Sequence, residues 1–291
     1  MRLNDSNRLW DVLNQLGDFV QYDGPFADSF EVSRKIKAAG KKTVYFRNPS
    51  GNDEHVVSNL FASREKIDAI LNKSKEDFLT YLGKKLRAPK IQLSKSPPRD
   101  LIQSRQGDSV LPPAFKYYRD DYGSYITSSV VLASDLKSGY VNVSIHRLLC
   151  LGGKQYAIRM VEGRHLHRIF QGYKSEDKDM PIVVLVGAMP HLLLAAAAPL
   201  PWETSELGLA SALKEGPLPV SDLPEIDFAV PTEAEFVILG KVSGRKTAPE
   251  MMTDVLGTYD MVRDQPVVEV SRTYYKAVSY THLTLPTKRI V

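Results

Sequence analysis

The stretch that decides the fold reads Val141-Asn-Val-Ser-Ile-His-Arg-Leu-Leu-Cys-Leu-Gly-Gly-Lys-Gln-Tyr-Ala-Ile-Arg-Met-Val161. Val141 to Leu151 reads as a strand. Val141, Val143, Ile145, Arg147, Leu149 and Leu151 share one face, and Asn142, Ser144 and His146 share the other. Gly152-Gly153 supplies turn residues, and Gln155 to Val161 returns as the second arm of a hairpin. A guanidinium among aliphatics is costly unless an anion accompanies it. Arg147 therefore reads either as an interface arginine paired with a surface carboxylate or as an anion-binding group. The polar face reads as a pocket lining or as a solvated surface.

Outward from the hairpin, further strands are expected at Tyr125–Ala133, Ile182–Val186, Phe236–Val242 and Val267–Arg272. Short helices are expected at His191–Ala198 and Ser205–Lys214. This half reads as a β-rich domain, sheet or barrel. Upstream, Leu9, Trp10, Leu13, Leu16 and Val20 stand at helical spacing, and Phe30–Ala39 predicts a second helix stopping at Gly40. A strand at Thr43–Phe46 and helices at Arg64–Leu71 and Glu76–Leu82 complete an α/β or α+β unit. Between Gly83 and Pro113, lysines and arginines mix with prolines, which reads as a basic linker rather than packed structure. The domains are thus placed at 1–115, including that linker, and 116–277, with 278–291 set apart as a tail.

Composition bounds the function. The 291 residues are 43% hydrophobic and 25% charged, as in an ordinary globular protein. A net charge of +4 is too small to argue for nucleic acid. A single cysteine, Cys150, excludes an internal disulfide and fits a reducing compartment. The start of the chain carries charges throughout and shows no apolar leader, so the protein reads as cytoplasmic. Pro181 to Trp202 holds no charged residue, yet its prolines break a spanning helix. A core strand and helix are expected there, and no integral membrane span.

Several residues could carry chemistry. Arg159, Arg164, His165, His167 and Arg168 form a basic knot after the hairpin, either a phosphate seat or a solvated helix start. Glu206 follows Ser205 at a helix start, where a carboxylate also favours the macrodipole. Glu250 and Asp254 are close enough in sequence to share acid–base work, or are two turn carboxylates in water.

Taken in order, these residues resemble the UbiD family of prenylated-flavin-dependent decarboxylases, the 3-octaprenyl-4-hydroxybenzoate carboxy-lyase group. The resemblance begins at Val57-Ser-Asn-Leu-Phe-Ala-Ser-Arg-Glu65 and continues through Tyr125-Ile-Thr127 and the hairpin. It runs on through Leu193-Leu-Ala-Ala-Ala-Ala-Pro-Leu-Pro201 to Gly257-Thr-Tyr-Asp260. It implies an α+β protein, an N-terminal α/β domain followed by a flavin-binding split β-barrel. It implies non-oxidative, reversible decarboxylation of an aromatic or α,β-unsaturated acid, because loss of CO₂ leaves charge that only an organic electron sink can take. Prenylated FMN would be held with Mn²⁺ or Mg²⁺, and K⁺ as an accompanying ion, by Asn142, His165 and Glu206; oxygen-rich donors suit such hard cations. Ile145, His146, Arg147, Arg159, Met160, Val161, Arg164 and His165 would border the flavin.

The resemblance further implies that Arg147, Glu250 and Asp254 form the catalytic network. Arg147 would grip the substrate carboxylate, Glu250 would hold Arg147, and Asp254 would return the proton. It also implies a flavin prenyltransferase as cofactor supplier and a homo-oligomer in the full-length form. Asn142 and Arg147 lie on opposite faces of an ideal strand, so a bulge or strong twist is required if both reach one site. Two departures stand out. The family loop commonly places five steps and a Gly-Pro turn between its carboxylates, whereas Glu250-Met-Met-Thr-Asp254 has four steps and neither residue. Val278 to Val291 resembles translated sequencing-adapter read-through and is expected not to pack; family members continue further, so the chain reads as C-terminally truncated. A polyprenyl hydroxybenzoate of ubiquinone biosynthesis, a simple phenolic acid and a phosphorylated unsaturated acid of an archaeal isoprenoid route all remain open as substrates. So do a non-catalytic flavin-binding protein and an inactive fragment.

Overall fold

The computed structural model describes residues 9–52, 54–71, 78–87, 91–95, 102–103, 110–253, 258–276 and 280–283. In chain order the elements are α1 (Leu9–Leu16), β1 (Phe19–Asp23), α2 (Ser29–Ala38), β2 (Thr43–Arg47), β3 (His55–Ser58), α3 (Arg64–Ile70) and α4 (Phe78–Leu86). Then come β4 (Leu93–Lys95), β5 (Ile102–Gln103), β6 (Tyr125–Ser134), β7 (Val141–Gly152), β8 (Gln155–Ile158), α5 (His165–Ser175) and β9 (Met180–Val186). The rest are α6 (Pro190–Ala196), α7 (Glu206–Lys214), β10 (Leu218–Ser221), β11 (Val230–Pro231), β12 (Phe236–Glu250), β13 (Arg263–Tyr275) and β14 (Tyr280–Leu283).

Six strands close a barrel in the order β12-β9-β6-β7-β8-β13, with β13 returning to β12 and every pairing antiparallel. Closure removes the open edges that a sheet of this length would expose. Alternation then divides the apolar residues. Leu148, Tyr156, Val131, Val184, Ile238 and Val268, one from each strand, meet in one core cluster that α5 covers with Leu166, Ile169 and Phe170. Their neighbours Val130, Leu132, Val143, Val183 and Leu239 turn outward and are buried under α6, α7 and the N-terminal helix α3. The uncharged stretch is therefore β9 plus α6, both core. No described helix is long and apolar enough to cross a membrane.

The N-terminal domain is a four-stranded sheet, β1-β2-β3-β14, with helices. Val20 belongs to β1, not to α1, which buries Leu9, Val12 and Leu13. The segment quoted from Val57 to Glu65 turns out to be a joint. Asn59 sits at a φ of 61° and donates its amide to the Gly40 and Lys42 carbonyls (3.0 and 3.2 Å), Leu60 is buried, and Ser63 caps α3.

Two expectations are corrected here. The basic linker is partly sheet: β4 pairs in parallel with β10, and β5 adds to the edge of β13. Composition reported its solvated lysines, while the pairing uses only backbone groups. Likewise the tail does not stay apart, because Tyr280–Leu283 runs parallel to β3 from His55 to Ser58. An open sheet edge accepts an extended backbone whatever its side chains.

Candidate active site

The hairpin β7–β8 is the scaffold of the site. Gly152, Gly153 and Lys154 turn it at φ values of 86°, 55° and 65°. Past the last ladder pair, the Arg159 N–H still donates to the Arg147 carbonyl (3.1 Å), which brings the return arm beside Arg147.

Arg147 is clamped. Its Nε donates to Glu250 Oε1 (2.8 Å) and its Nη2 to Glu250 Oε2 (3.0 Å), a bidentate pair. Glu250 ends β12, and its side chain is 2% exposed against 22% for Arg147. Burial works against the guanidinium's charge, but the Glu250 carboxylate outweighs it and Arg147 titrates above its ordinary range. The backbone after Glu250 is itself held. The Tyr125 hydroxyl donates to the Met251 carbonyl (2.8 Å), and the Thr253 N–H donates to Asp121 (2.8 Å). Asp254 lies outside the described residues. A different carboxylate reaches the arginine: Asp260 Oδ2 accepts from Nη2 at 3.3 Å.

The opposite face of β7 carries a directed chain of hydrogen bonds. Asn142 Nδ2 donates to Ser144 Oγ (2.8 Å), and Ser144 Oγ lies 2.8 Å from His146 Nε2. His146 Nδ1 lies 2.8 Å from the Arg159 carbonyl, which can only accept. Nδ1 must therefore carry the proton, leaving Nε2 to accept from Ser144. Burial favours the same neutral form and lowers the His146 pKa to about 4. Asn142 and Arg147 stay on opposite faces of β7, and the bulge lies in the partner strand β6, where three steps from Ile126 to Ser129 span two steps of β7 around Arg147. β7 keeps its alternation: Val143 packs toward the outer helices and Leu148 into the barrel interior.

Glu206 begins α7, whose cap is Ser205 accepting from the Gly208 N–H (3.2 Å). It is 3% exposed and accepts from the Tyr140 hydroxyl and the Val143 N–H, each at 3.2 Å. Burial pushes its pKa up to about 7. A buried carboxylate without a cation among the described residues suits a metal, and the Asn142 carbonyl oxygen is unengaged by described partners. His165 opens α5 and stands edge-on to Trp202 (5.3 Å) and Tyr140 (6.5 Å). Burial, then Arg168 and Arg164, lowers its pKa, which favours a neutral imidazole able to ligate. Among the described residues, no three His, Cys, Asp or Glu side chains converge. Asn142, His165 and Glu206 therefore do not form a metal site by themselves, and any ion held there would have to take further oxygens from its ligand.

The basic knot divides. Arg168 stacks over Trp202 (4.0 Å), His167 accepts from the Gly163 N–H (3.4 Å), and Arg159 Nη1 donates to the Met160 carbonyl (2.9 Å). Arg164 is the N-cap of α5, and Met160 is buried. Ile145 and Val161 are 38% and 49% exposed, two residues from the Arg147–Arg159 bond on either arm, an apolar surface bordered by arginines. Asp260, Asp121 and Tyr140 were not singled out from the sequence. Asp260 stood within a quoted motif, but no spacing connects it to Arg147.

Fold and site together define a two-domain α+β protein whose barrel wall presents a carboxylate-clamped arginine. The chain belongs to the UbiD family: the 3-octaprenyl-4-hydroxybenzoate carboxy-lyase Rift-related domain matches residues 105–289, and the corresponding N-terminal domain matches 11–86. It is 35% identical over 88% of its length to the anhydromevalonate phosphate decarboxylase of Methanocaldococcus jannaschii. It is 30% identical over 89% of its length to that of Methanothermobacter thermautotrophicus. The chain spans 60% of the length of each of these relatives. Among solved structures it resembles an evolved dimeric form of the UbiD-class enzyme HmfF from Pelotomaculum thermopropionicum, in complex with prFMN. The TM-score is 0.89 at 27% identity, covering 97% of this chain and 68% of that one.

Proposed function

We propose that the chain is the cofactor- and carboxylate-binding part of a carboxy-lyase that decarboxylates an α,β-unsaturated acid with prenylated FMN. The observation that carries this is the Arg147–Glu250 clamp, which leaves Nη1 without a partner among the described residues. The Nη1 hydrogens are then the donors offered to the substrate carboxylate, as charge-assisted hydrogen bonds. Prenylated FMN, when bound, supplies the electron sink for the charge left by CO₂. Glu250 keeps Arg147 ionised and oriented, and Asp254 is assigned the return of a proton to carbon. Asn142, His165 and Glu206 would contribute donors to a Mn²⁺ or Mg²⁺, with K⁺ as an accompanying ion, that would help retain the cofactor. Ile145, His146, Arg159, Met160, Val161 and Arg164 border the flavin. The names of the two archaeal relatives favour a phosphorylated unsaturated acid over a polyprenyl hydroxybenzoate. A flavin prenyltransferase as supplier and a homo-oligomer of the longer protein belong to the same proposal.

The test is CO₂ release from anhydromevalonate phosphate and from 4-hydroxybenzoate by the chain loaded with prenylated FMN. The chain is measured alone and extended with the C-terminal part of the Methanocaldococcus jannaschii relative. Release from the phosphorylated acid is expected, stronger in the extended protein. Arg147→Lys should lower it by about 100-fold or more, because an ammonium cannot hold Glu250 bidentately while presenting a fixed further donor to the substrate carboxylate. Flavin retention with no release from any acid in either form would leave a non-catalytic flavin-binding protein.

A further inference from the structure

Arg147 has five N–H donors. Glu250 takes one from Nε and one from Nη2, and a single bidentate carboxylate still leaves the guanidinium free to pivot about that edge. The second Nη2 hydrogen is directed at Asp260 Oδ2, 3.3 Å away. Asp260 is in turn fixed by Arg263, whose Nη1 donates to Oδ1 at 2.5 Å and to the Met261 carbonyl at 3.2 Å. The β12–β13 register sets Arg263 directly opposite Glu250, so both carboxylates reach Arg147 from the same end of one ladder.

We propose that Asp260 is a positioning residue that removes this pivot and aims the Nη1 N–H donors of Arg147 at the substrate carboxylate, with Arg263 holding Asp260 in place. The proposal rests on the function given above and adds a residue outside the Arg147–Glu250–Asp254 set. Two guanidinium groups and two carboxylates leave this cluster without net charge. A substrate carboxylate is then selected by the direction of the donors more than by attraction. Partial burial works against the Asp260 carboxylate, but the bonds from Arg263 and Met261 N–H outweigh it and keep it ionised.

The experiment is calorimetric binding of 3-methylbut-2-enoate to the FMN-loaded chain, with the neutral amide of the same acid as control. Asp260→Ala should weaken carboxylate binding by about 5- to 10-fold and leave amide binding, flavin retention and melting temperature unchanged. Asp260→Asn, which keeps the shape, is measured beside it in case the alanine chain does not fold. A loss of at least about threefold there, again confined to the acid, carries the same conclusion. Acid binding that is unchanged or tighter in both variants would show that Asp260 is only a competing counter-charge and would overturn the role. Equal losses for acid and amide would overturn it as well, since they report general loosening. Arg147→Lys separates the levels. If it too leaves acid binding intact, the functional reading of the site fails. If it abolishes acid binding while the Asp260 variants do not, only the positioning role fails.

Discussion

At the scale of single residues, the site is governed by which charges are buried with partners. Removing one partner of a buried pair strands the other, at a cost of about 3–5 kcal/mol when both are fully enclosed. Arg147 retains some solvent contact, so Glu250→Gln should cost less, about 2 kcal/mol in urea unfolding. It should also weaken acid binding with Arg147 still present. His146 gives a pH signature. Its folded pKa of about 4 lies below its ordinary value, so between the two the unfolded chain binds a proton that the folded chain refuses. Its contribution is fully present above about pH 6.5 and is lost as pH falls toward 4. His146→Gln should flatten the difference in stability between pH 7 and pH 5 relative to the parent. Identical pH slopes in parent and variant would contradict the buried neutral imidazole.

At the scale of elements, barrel closure depends on close approach of β12 and β13. A Cβ on Gly240 would stand 2.6 Å from the Glu269 carbonyl oxygen, at the point where the β12–β13 register shifts. Backbone cannot yield as a side-chain tip can, so Gly240→Ala should destabilise by about 2–3 kcal/mol, read as a lower urea midpoint. At the other candidate subsite, Glu206 comes from α7 while Asn142 comes from β7. Glu206→Ala should therefore weaken FMN retention several-fold in the presence of Mn²⁺. Chelation of the parent should mimic the substitution, and chelation of the variant should add little. Retention indifferent to both changes would place the cofactor's phosphate elsewhere.

At the scale of the molecule, the N-terminal sheet and the barrel meet through residues from both: Val44, Phe46 and Val56 pack with Tyr125, Leu149, Ala157 and Met252. This shared core lies beside the backbone that carries Glu250, which makes the N-terminal domain part of the site's support. At the far edge of the N-terminal sheet stands β14. Among the described residues, deleting Val278–Val291 removes one short edge strand, so the expected loss is about 1 kcal/mol, a few degrees in melting temperature. A fall beyond about 10 °C would make β14 integral to the sheet.

What could be read from the chain alone followed from local periodicity and turn chemistry. The β7–β8 hairpin, β9 with α6, the helix begun at Ser205, and an Arg147 in need of an anion were all legible, because each depends on neighbours within a few residues. The Val57–Glu65 and Gly257–Asp260 motifs marked the family without showing what their side chains do. Strands such as β3, β4 and β5 were missed because their pairing uses backbone groups and leaves little pattern in the side chains. Closure of the barrel, the bulge in β6 opposite Arg147, and the meeting of Arg147 with Glu250 and Asp260 were decided only in three dimensions. Those contacts join residues more than a hundred positions apart. Their distance is set by strand register, which no spacing along the sequence records.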